Sequence, residues 1–247
     1  MTFENTAAWC NANGEPLKVG PAELGKPGPG ELLVKNHALA INPVDNAQLN
    51  MGMFVNRYPA IFGNDVAGEV VEVGDGVTNV RKGQRVLANA VSIMTGDPKH
   101  GGFQHYTIVF ANGTCSIPDN VSYEQAVVAP LAVSTAAAGL YEPDQLALPY
   151  PSMSPKQTGK SLLVWGGASS VGTAAIQLAV ASGLDVYATA SVKNFDYCKS
   201  LGAKEVFDYG NPDIVSKLVS ALQDTEVAGA YDGKHDTPTR SPCLLHI

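Results

Sequence analysis

Short apolar runs separated by glycine turns fill the first half of the chain. Gly30–Asn42 is an extended apolar stretch, and Val66–Val77 alternates apolar and polar positions until the turn Gly74-Asp75-Gly76. Arg81–Ala90 sets a Lys-Gly turn before another apolar run, and Gly101–Val109 follows a glycine-rich loop. A period of two puts successive side chains on opposite faces of a pleated strand, so these segments predict strands. Several short strands joined by glycine turns predict a small barrel-like β domain.

Near residue 120 the pattern changes. Ser122 and Gln125 have the spacing of a capping box, in which each side chain satisfies the other's free main-chain amide. Two short helices divided by Pro130 are expected next, and Leu146–Lys160, with three prolines, reads as a loop. From Ser161 strand and helix alternate. Ser161–Gly167 is a buried strand, Val171–Gly183 a helix closed by its glycine, Asp185–Ala190 a strand, Asn194–Gly202 a helix and Glu205–Tyr209 a strand. Asn211-Pro212 predicts a capped helix running to about Leu222, and Ala228–Asp232 a further strand. This order predicts a parallel sheet wound with helices. The expected domains are 1–150, 151–232 and a polar tail at 233–247.

The chain has 247 residues, 45% of them hydrophobic and 16% charged, which excludes a wholly disordered protein. A formal net charge of −7, with 16 Lys and Arg dispersed along the chain, leaves no basic patch and argues against a nucleic-acid partner. Cys10, Cys115, Cys198 and Cys243 lie far apart and offer neither a zinc knuckle nor a redox pair. The first residues lack a secretory pattern, and the most apolar stretch, Ala126–Leu140, is broken by Pro130, Ser134 and Thr135 and is too short to span a bilayer. A cytoplasmic protein with no membrane partner is expected.

The chemistry concentrates at the first strand–helix turn, Trp165–Gly172. Gly166 and Gly167 permit a tight turn, Gly172 permits close helix–strand packing, and free amides at the helix start suit a pyrophosphate. Ser169 and Ser170 depart from a strict Gly-x-Gly-x-x-Gly, so the turn gains its meaning from its place in a βαβ unit. After Ala190 an NAD site would present an acid, whereas this chain has Ser191, Val192, Lys193 and Asn194, with Tyr209 ending the next strand. Lys193 also fits a solvated lysine at a helix start. The missing acid favours NADPH.

These stretches, with Ile41–Asn50, Tyr58–Asn89, Gly101–Val109 and Gly159–Gly183, resemble the medium-chain dehydrogenases/reductases, and within them the zinc-free quinone and enoyl reductases. The texture is most similar to fungal trans-acting enoyl reductases that serve polyketide synthases. The resemblance implies an α/β chain with a β-rich GroES-like N-terminal domain and a partial Rossmann doubly wound parallel sheet. It implies that Asp45, Asn46, Ala47 and Gln48 lie near the nicotinamide, that Ala168, Ser169, Ser170 and Val171 hold the pyrophosphate, and that Ser191, Val192, Lys193, Asn194 and Tyr209 hold the 2′-phosphate. Leu131, Ala132, Val133, Ser134, Thr135, Ala136, Ala137 and Ala138 would line the substrate cleft. Ser134 and Thr135 equally suit capping or packing.

Zinc alcohol dehydrogenases carry Gly-His-Glu where this chain has Gly63-Asn64-Asp65, and often a cysteine where it has Val44. Asn64 is a poor zinc ligand, so no metal is expected, catalytic or structural. His37, His100 and His105 show no metal spacing, and His105 reads as a structural strand histidine. No catalytic acid stands out.

The family pattern breaks after Asp232. Gly233–Ile247 is polar, contains proline and lacks the further strands and helices the resemblance implies, as a frameshift, retained intron or early stop would produce. The expected function is NADPH-dependent reduction of an α,β-unsaturated acyl chain, carried on a polyketide synthase or free, by a monomer. The alternatives are an inactive truncated relative that at most binds nucleotide or a synthase, and a zinc-free quinone reductase. The expectation for the chain as it stands is weak NADPH binding, low solubility and little turnover, with Ala228–Asp232 left as an uncovered sheet edge.

Overall fold

The computed structural model describes residues 4–233. The predicted tail at 233–247 therefore lies outside the described residues except for Gly233. The chain gathers into two compact units that divide between Leu131 and Ala132. That division falls before residue 150, where the sequence places its boundary.

The first unit is β-rich. Its strands are β1 (Asn5–Cys10), β2 (Lys18–Ala22), β3 (Glu31–Ala40), β4 (Ala60–Ile61), β5 (Asp65–Val73), β6 (Arg85–Asn89), β7 (Tyr106–Phe110) and β8 (Thr114–Ser116). Its helices are α1 (Pro43–Met51), α2 (Ser92–Thr95) and α3 (Tyr123–Ala126). Five strands pair antiparallel in the order β7-β3-β5-β6-β8, and β2-β1-β4 form a smaller sheet. Leu32, Val34, Val66, Val70, Val86, Ala88 and Val109 meet in one core, each buried Val or Leu contributing about 1.5–3 kcal/mol. Gly68 lets β3 and β5 approach, because a Cβ there would stand 2.0 Å from the Lys35 carbonyl oxygen.

The pattern of apolar and polar positions does not predict β1, β2 or α1. The expected strand Gly101–Val109 begins only at Tyr106, since Gln104 Nε2 donates to the carbonyls of Pro98 and Gly101 and folds the preceding residues into a loop. His105 is exposed and precedes the strand rather than lying in it. The Ser122–Gln125 box forms as expected, with the Gln125 amide donating to Ser122 Oγ at 3.2 Å and the Ser122 amide to Gln125 Oε1 at 3.0 Å.

A buried polar group ties the loop at 95–100 to the start of β3. Glu31 accepts from the Gly28 amide at 2.7 Å, lies 3.1 Å from His100 Nε2 and pairs with Lys99 Nζ at 3.3 Å. Burial pushes the carboxyl up, but the Gly28 amide, His100 and Lys99 together outweigh it and hold Glu31 below the usual range. Such a group stabilises the fold above its unfolded pKa, and the contribution is lost as pH falls through the folded value. Glu31→Gln is expected to cost about 1 kcal/mol at pH 7. The cost should shrink towards pH 3, as read by urea denaturation at both pH values.

The second unit contains β9 (Lys160–Trp165), α5 (Ser170–Ala181), β10 (Asp185–Ala190), α6 (Phe195–Ser200), β11 (Glu205–Asp208), α7 (Ile214–Leu222) and β12 (Glu226–Asp232), preceded by α4 (Pro130–Tyr141). Among the described residues, its strands are parallel in the order β11-β10-β9-β12. Alternate residues serve opposite faces. Leu162, Val164, Val186 and Ala188 pack with α4 and α5, while Leu163, Tyr187 and Phe207 pack with Ile214, Leu218 and Leu222 of α7. Two corrections are local. A 3-10 turn at Val192–Asn194 precedes α6. Asn211 does not cap α7, because its Oδ1 accepts the Asp213 amide in a separate turn and the helix starts at Ile214. Among the described residues, β12 pairs only with β9, and no helix is long and apolar enough to cross a membrane.

Candidate functional site

The sheet order β11-β10-β9-β12 reverses direction between β9 and β12, and the crevice at the carboxyl ends of such strands is where parallel sheets bind ligands. The turn Gly166–Ser169 stands there. Its backbone amides can be accounted for one by one. Gly166 donates to Thr189 Oγ1, Gly167 to the Thr189 carbonyl, Ser169 to the Gly166 carbonyl and Gly172 to Ser169 Oγ. The amides of Ala168, Ser170 and Val171 have no acceptor among the described residues, and Ser170 is exposed. Gly172 must be glycine, since a Cβ would lie 2.2 Å from the Gly166 carbonyl oxygen. The turn thus presents three amides without acceptors at the positive end of α5, an arrangement whose chemistry suits an anion.

The second predicted cluster sits at the same end of the neighbouring strands. Ala190 of β10 is in register with Asp208 of β11, so Ser191 and Tyr209 leave the sheet side by side. Asn194 Nδ2 donates to Ser191 Oγ at 3.1 Å. Val192 and Lys193 are exposed, and the Lys193 ammonium has no partner among the described residues. Asp208 is a carboxylate at this edge that the sequence reading did not weigh. Its Oδ1 accepts the Gly210 amide at 2.9 Å.

In the first unit the predicted group Asp45–Gln48 falls on α1 and is split by the helical period. Asp45 and Gln48 turn inward at 4% and 3% exposure, Asn46 faces solvent and bonds Asn50, and Ala47 is half-buried. Asp45 Oδ2 accepts the Asn42 amide at 2.6 Å and its Oδ1 accepts from Asn64 Nδ2 at 3.0 Å. Asp65, 1% exposed, accepts from Asn42 Nδ2 at 2.8 Å and from the Leu131 amide at 2.7 Å. Burial pushes both carboxyls above the ordinary range against these donors, and the Asp65 charge pushes Asp45 further the same way. Gln48 Oε1 is buried without a hydrogen bond among the described residues, and Gln48 lines a small pocket with Arg57, Ser92 and Asp97.

The predicted substrate stretch is the first part of α4. Ala132 and Ala136 are packed into the second unit's core with Leu140, so their side chains face away from any ligand. Val133 and Thr135 face outward, Ser134, Ala137 and Ala138 are half-buried, and the Thr135 carbonyl accepts from Tyr231 at 3.1 Å. Leu131 enters the site through its amide, held by Asp65.

A β-rich unit of GroES type followed by a parallel sheet with an anion turn defines a class of oxidoreductase, and the sequence profiles agree. The alcohol dehydrogenase GroES-like domain matches residues 28–119 and the zinc-binding dehydrogenase domain residues 170–237. The chain belongs to the medium-chain dehydrogenase/reductase family. It is 44% identical to the dehydrogenase orsE of Emericella nidulans over 92% of this chain and 70% of that protein. It is also 44% identical to the trans-enoyl reductase himH of Aspergillus japonicus, over 96% of this chain and 69% of that one. Among solved structures, mycobacterial Rv1454c in complex with NADPH is similar at 28% identity and a TM-score of 0.68, covering 93% of this chain and 66% of that one. The chain thus spans about two thirds of the length of these proteins.

Membership of a zinc-binding profile raises the question of a catalytic zinc, and the residues present do not fit one. Asn64 spends its side-chain amide as a donor to Asp45, Val44 offers no donor atom, and among the described residues no three His, Cys, Asp or Glu side chains are grouped to hold a metal.

Proposed function

We propose that this chain carries the nucleotide half-site of an NADPH-dependent, zinc-free enoyl reductase that acts on an α,β-unsaturated acyl chain in fungal secondary metabolism. The observation that carries the reading is the pairing of the Gly166–Gly172 turn with Lys193, which lies in the turn after β10 and has no partner among the described residues. The likeness to a trans-enoyl reductase supports the substrate class, and the NADPH complex of a similar fold supports the cofactor.

A bound nicotinamide supplies hydride to the β-carbon of the enoyl group. The chain's own part is to hold and orient. The amides of Ala168, Ser170 and Val171 meet the pyrophosphate, and Ser191, Lys193, Asn194 and Tyr209 meet the 2′-phosphate, where charge-assisted bonds are strongest. Asn46 and Ala47 are the members of the α1 group with surface to offer, while Asp45 and Gln48 are buried. Val133 and Thr135 are the α4 side chains exposed enough to meet a substrate. Solvent protonates the α-carbon. The protein works as a cytoplasmic monomer, with the substrate free or carried on a polyketide synthase.

Turnover is tested by following NADPH consumption with a crotonyl-type thioester and, separately, with a quinone. Turnover is expected to be slow, and its signature is a mass gain of one H2 in the thioester. Consumption with the quinone alone would move the assignment to quinone reduction. Nucleotide binding without either turnover would leave a binding protein.

The zinc-free reading predicts no stoichiometric metal in protein purified without chelator. Elemental analysis decides it, and one zinc per chain would overturn it.

A further inference from the structure

We infer that Ser169 is a positioning residue, which latches Gly233 at the exit of β12 onto the first turn of α5 and thereby sets the amides of the nucleotide turn. It is not itself a ligand of the anion. The inference rests on the reading of Gly166–Gly172 as the pyrophosphate holder. It reassigns Ser169 within the predicted group Ala168–Val171 and leaves the phosphate to its neighbours.

A serine hydroxyl has one proton to donate. That of Ser169 goes to the Gly233 carbonyl at 2.7 Å, while its oxygen accepts the Gly172 amide at 2.9 Å as the N-cap of α5. Gly233 is held from its other side as well. Its amide donates to the Trp165 carbonyl at 2.9 Å, extending the β9–β12 ladder one step beyond the Asp232–Trp165 pair. Residue 233 is therefore fixed to the residue before the glycine turn and to the serine inside it.

The fit is close. A Cβ on Gly233 would lie 3.0 Å from both Cα and N of Gly172 and 3.1 Å from Ser169 Oγ. A Cβ on Gly172 would lie 2.9 Å from the same oxygen. Gly172, Ser169 and Gly233 thus form one packed contact at the switch point of the sheet, where the two strands that border the crevice diverge. With the Ser169 hydroxyl and the Gly172 amide both engaged, the exposed Ser170 hydroxyl and the amides of Ala168, Ser170 and Val171 are what an anion meets. A displaced cradle misplaces every nucleotide equally, because the pyrophosphate is common to NADPH and NADH.

The test compares Ser169→Ala, Ser169→Thr and Ser170→Ala in the full chain. Calorimetric titration with NADPH and NADH is combined with hydrogen exchange of the ligand-free protein. Ser169→Ala should raise exchange at the Gly172 and Gly233 amides and weaken both nucleotides by the same factor, about fivefold. Ser169→Thr should restore both readouts, since threonine keeps the hydroxyl. Ser170→Ala should weaken binding with exchange of the ligand-free protein unchanged. Unchanged exchange at Gly172 and Gly233 in Ser169→Ala overturns the latch, as does weakened binding without that loss of protection. If the wild-type chain binds neither nucleotide, the cofactor reading falls while the exchange readout still decides the latch.

Discussion

Asp65→Ala is expected to destabilise the first unit by about 1–3 kcal/mol, from two half-buried donors each losing an acceptor worth about 0.5–1.5 kcal/mol. The donors are Asn42 Nδ2 and the Leu131 amide, both within 2.8 Å of the carboxylate. Removal of a desolvated charge offsets part of that loss, since burial already pushes the Asp65 carboxyl up. The same shift gives the pH dependence. A native carboxyl with a raised pKa binds protons that the unfolded chain has released, so its contribution is complete below the unfolded value, near 3.9, and declines as pH rises through the window up to the folded value. The stability gap between wild type and Asp65→Ala should therefore be larger at pH 4.5 than at pH 7 in urea denaturation. A gap that widens with pH would show that the carboxylate is stabilised in its charged form, against the burial argument.

Lys193→Ala should weaken NADPH roughly tenfold or more and leave NADH nearly unchanged, because a charge-assisted bond to the 2′-phosphate is made with one cofactor only. The ammonium is exposed and without a protein partner among the described residues, so its loss disturbs no internal contact. Salt should weaken the wild-type preference for NADPH by screening the same pair. Asp208 stands one strand away, at the end of β11, with its Oδ1 accepting the Gly210 amide. Equal losses for both cofactors in a titration would remove Lys193 from the 2′-phosphate site.

Two Asn-Pro steps show how far local signals carry. Asn42-Pro43 and Asn211-Pro212 look alike in sequence, and only the second was read as a helix start. In the structure α1 begins at Pro43, with the Asn42 amide bonded by Asp45 three residues on. At Asn211 the side chain bonds its own turn, and α7 waits until Ile214. The Asp at the third helical position after Asn42 is the local signal for this helix, which has no strong apolar stripe to announce it. β1 and β2 were missed for a related reason. β2 is short and largely exposed, with Lys18, Gly20 and Pro21 interrupting the pattern, while β1 is a short Asn-Thr-Ala-Ala-Trp-Cys run without clear alternation, and β1 becomes a strand by pairing with β2 and β4.

The sequence by itself determined the four-strand alternation from Ser161 to Asp232, the glycine turn between β9 and α5, and the Ser122 capping box. Each depends on contacts within a few residues or on a face that is apolar at every second or fourth position. Tertiary structure decided which polar groups act together. Asp65 meets Leu131 across the chain, Ser169 meets Gly233, and the helical period hides Asp45 while exposing Asn46. Hydrogen bonds between residues distant in sequence leave no periodicity behind, and a buried donor finds its acceptor only once the sheets and helices have fixed where both of them stand.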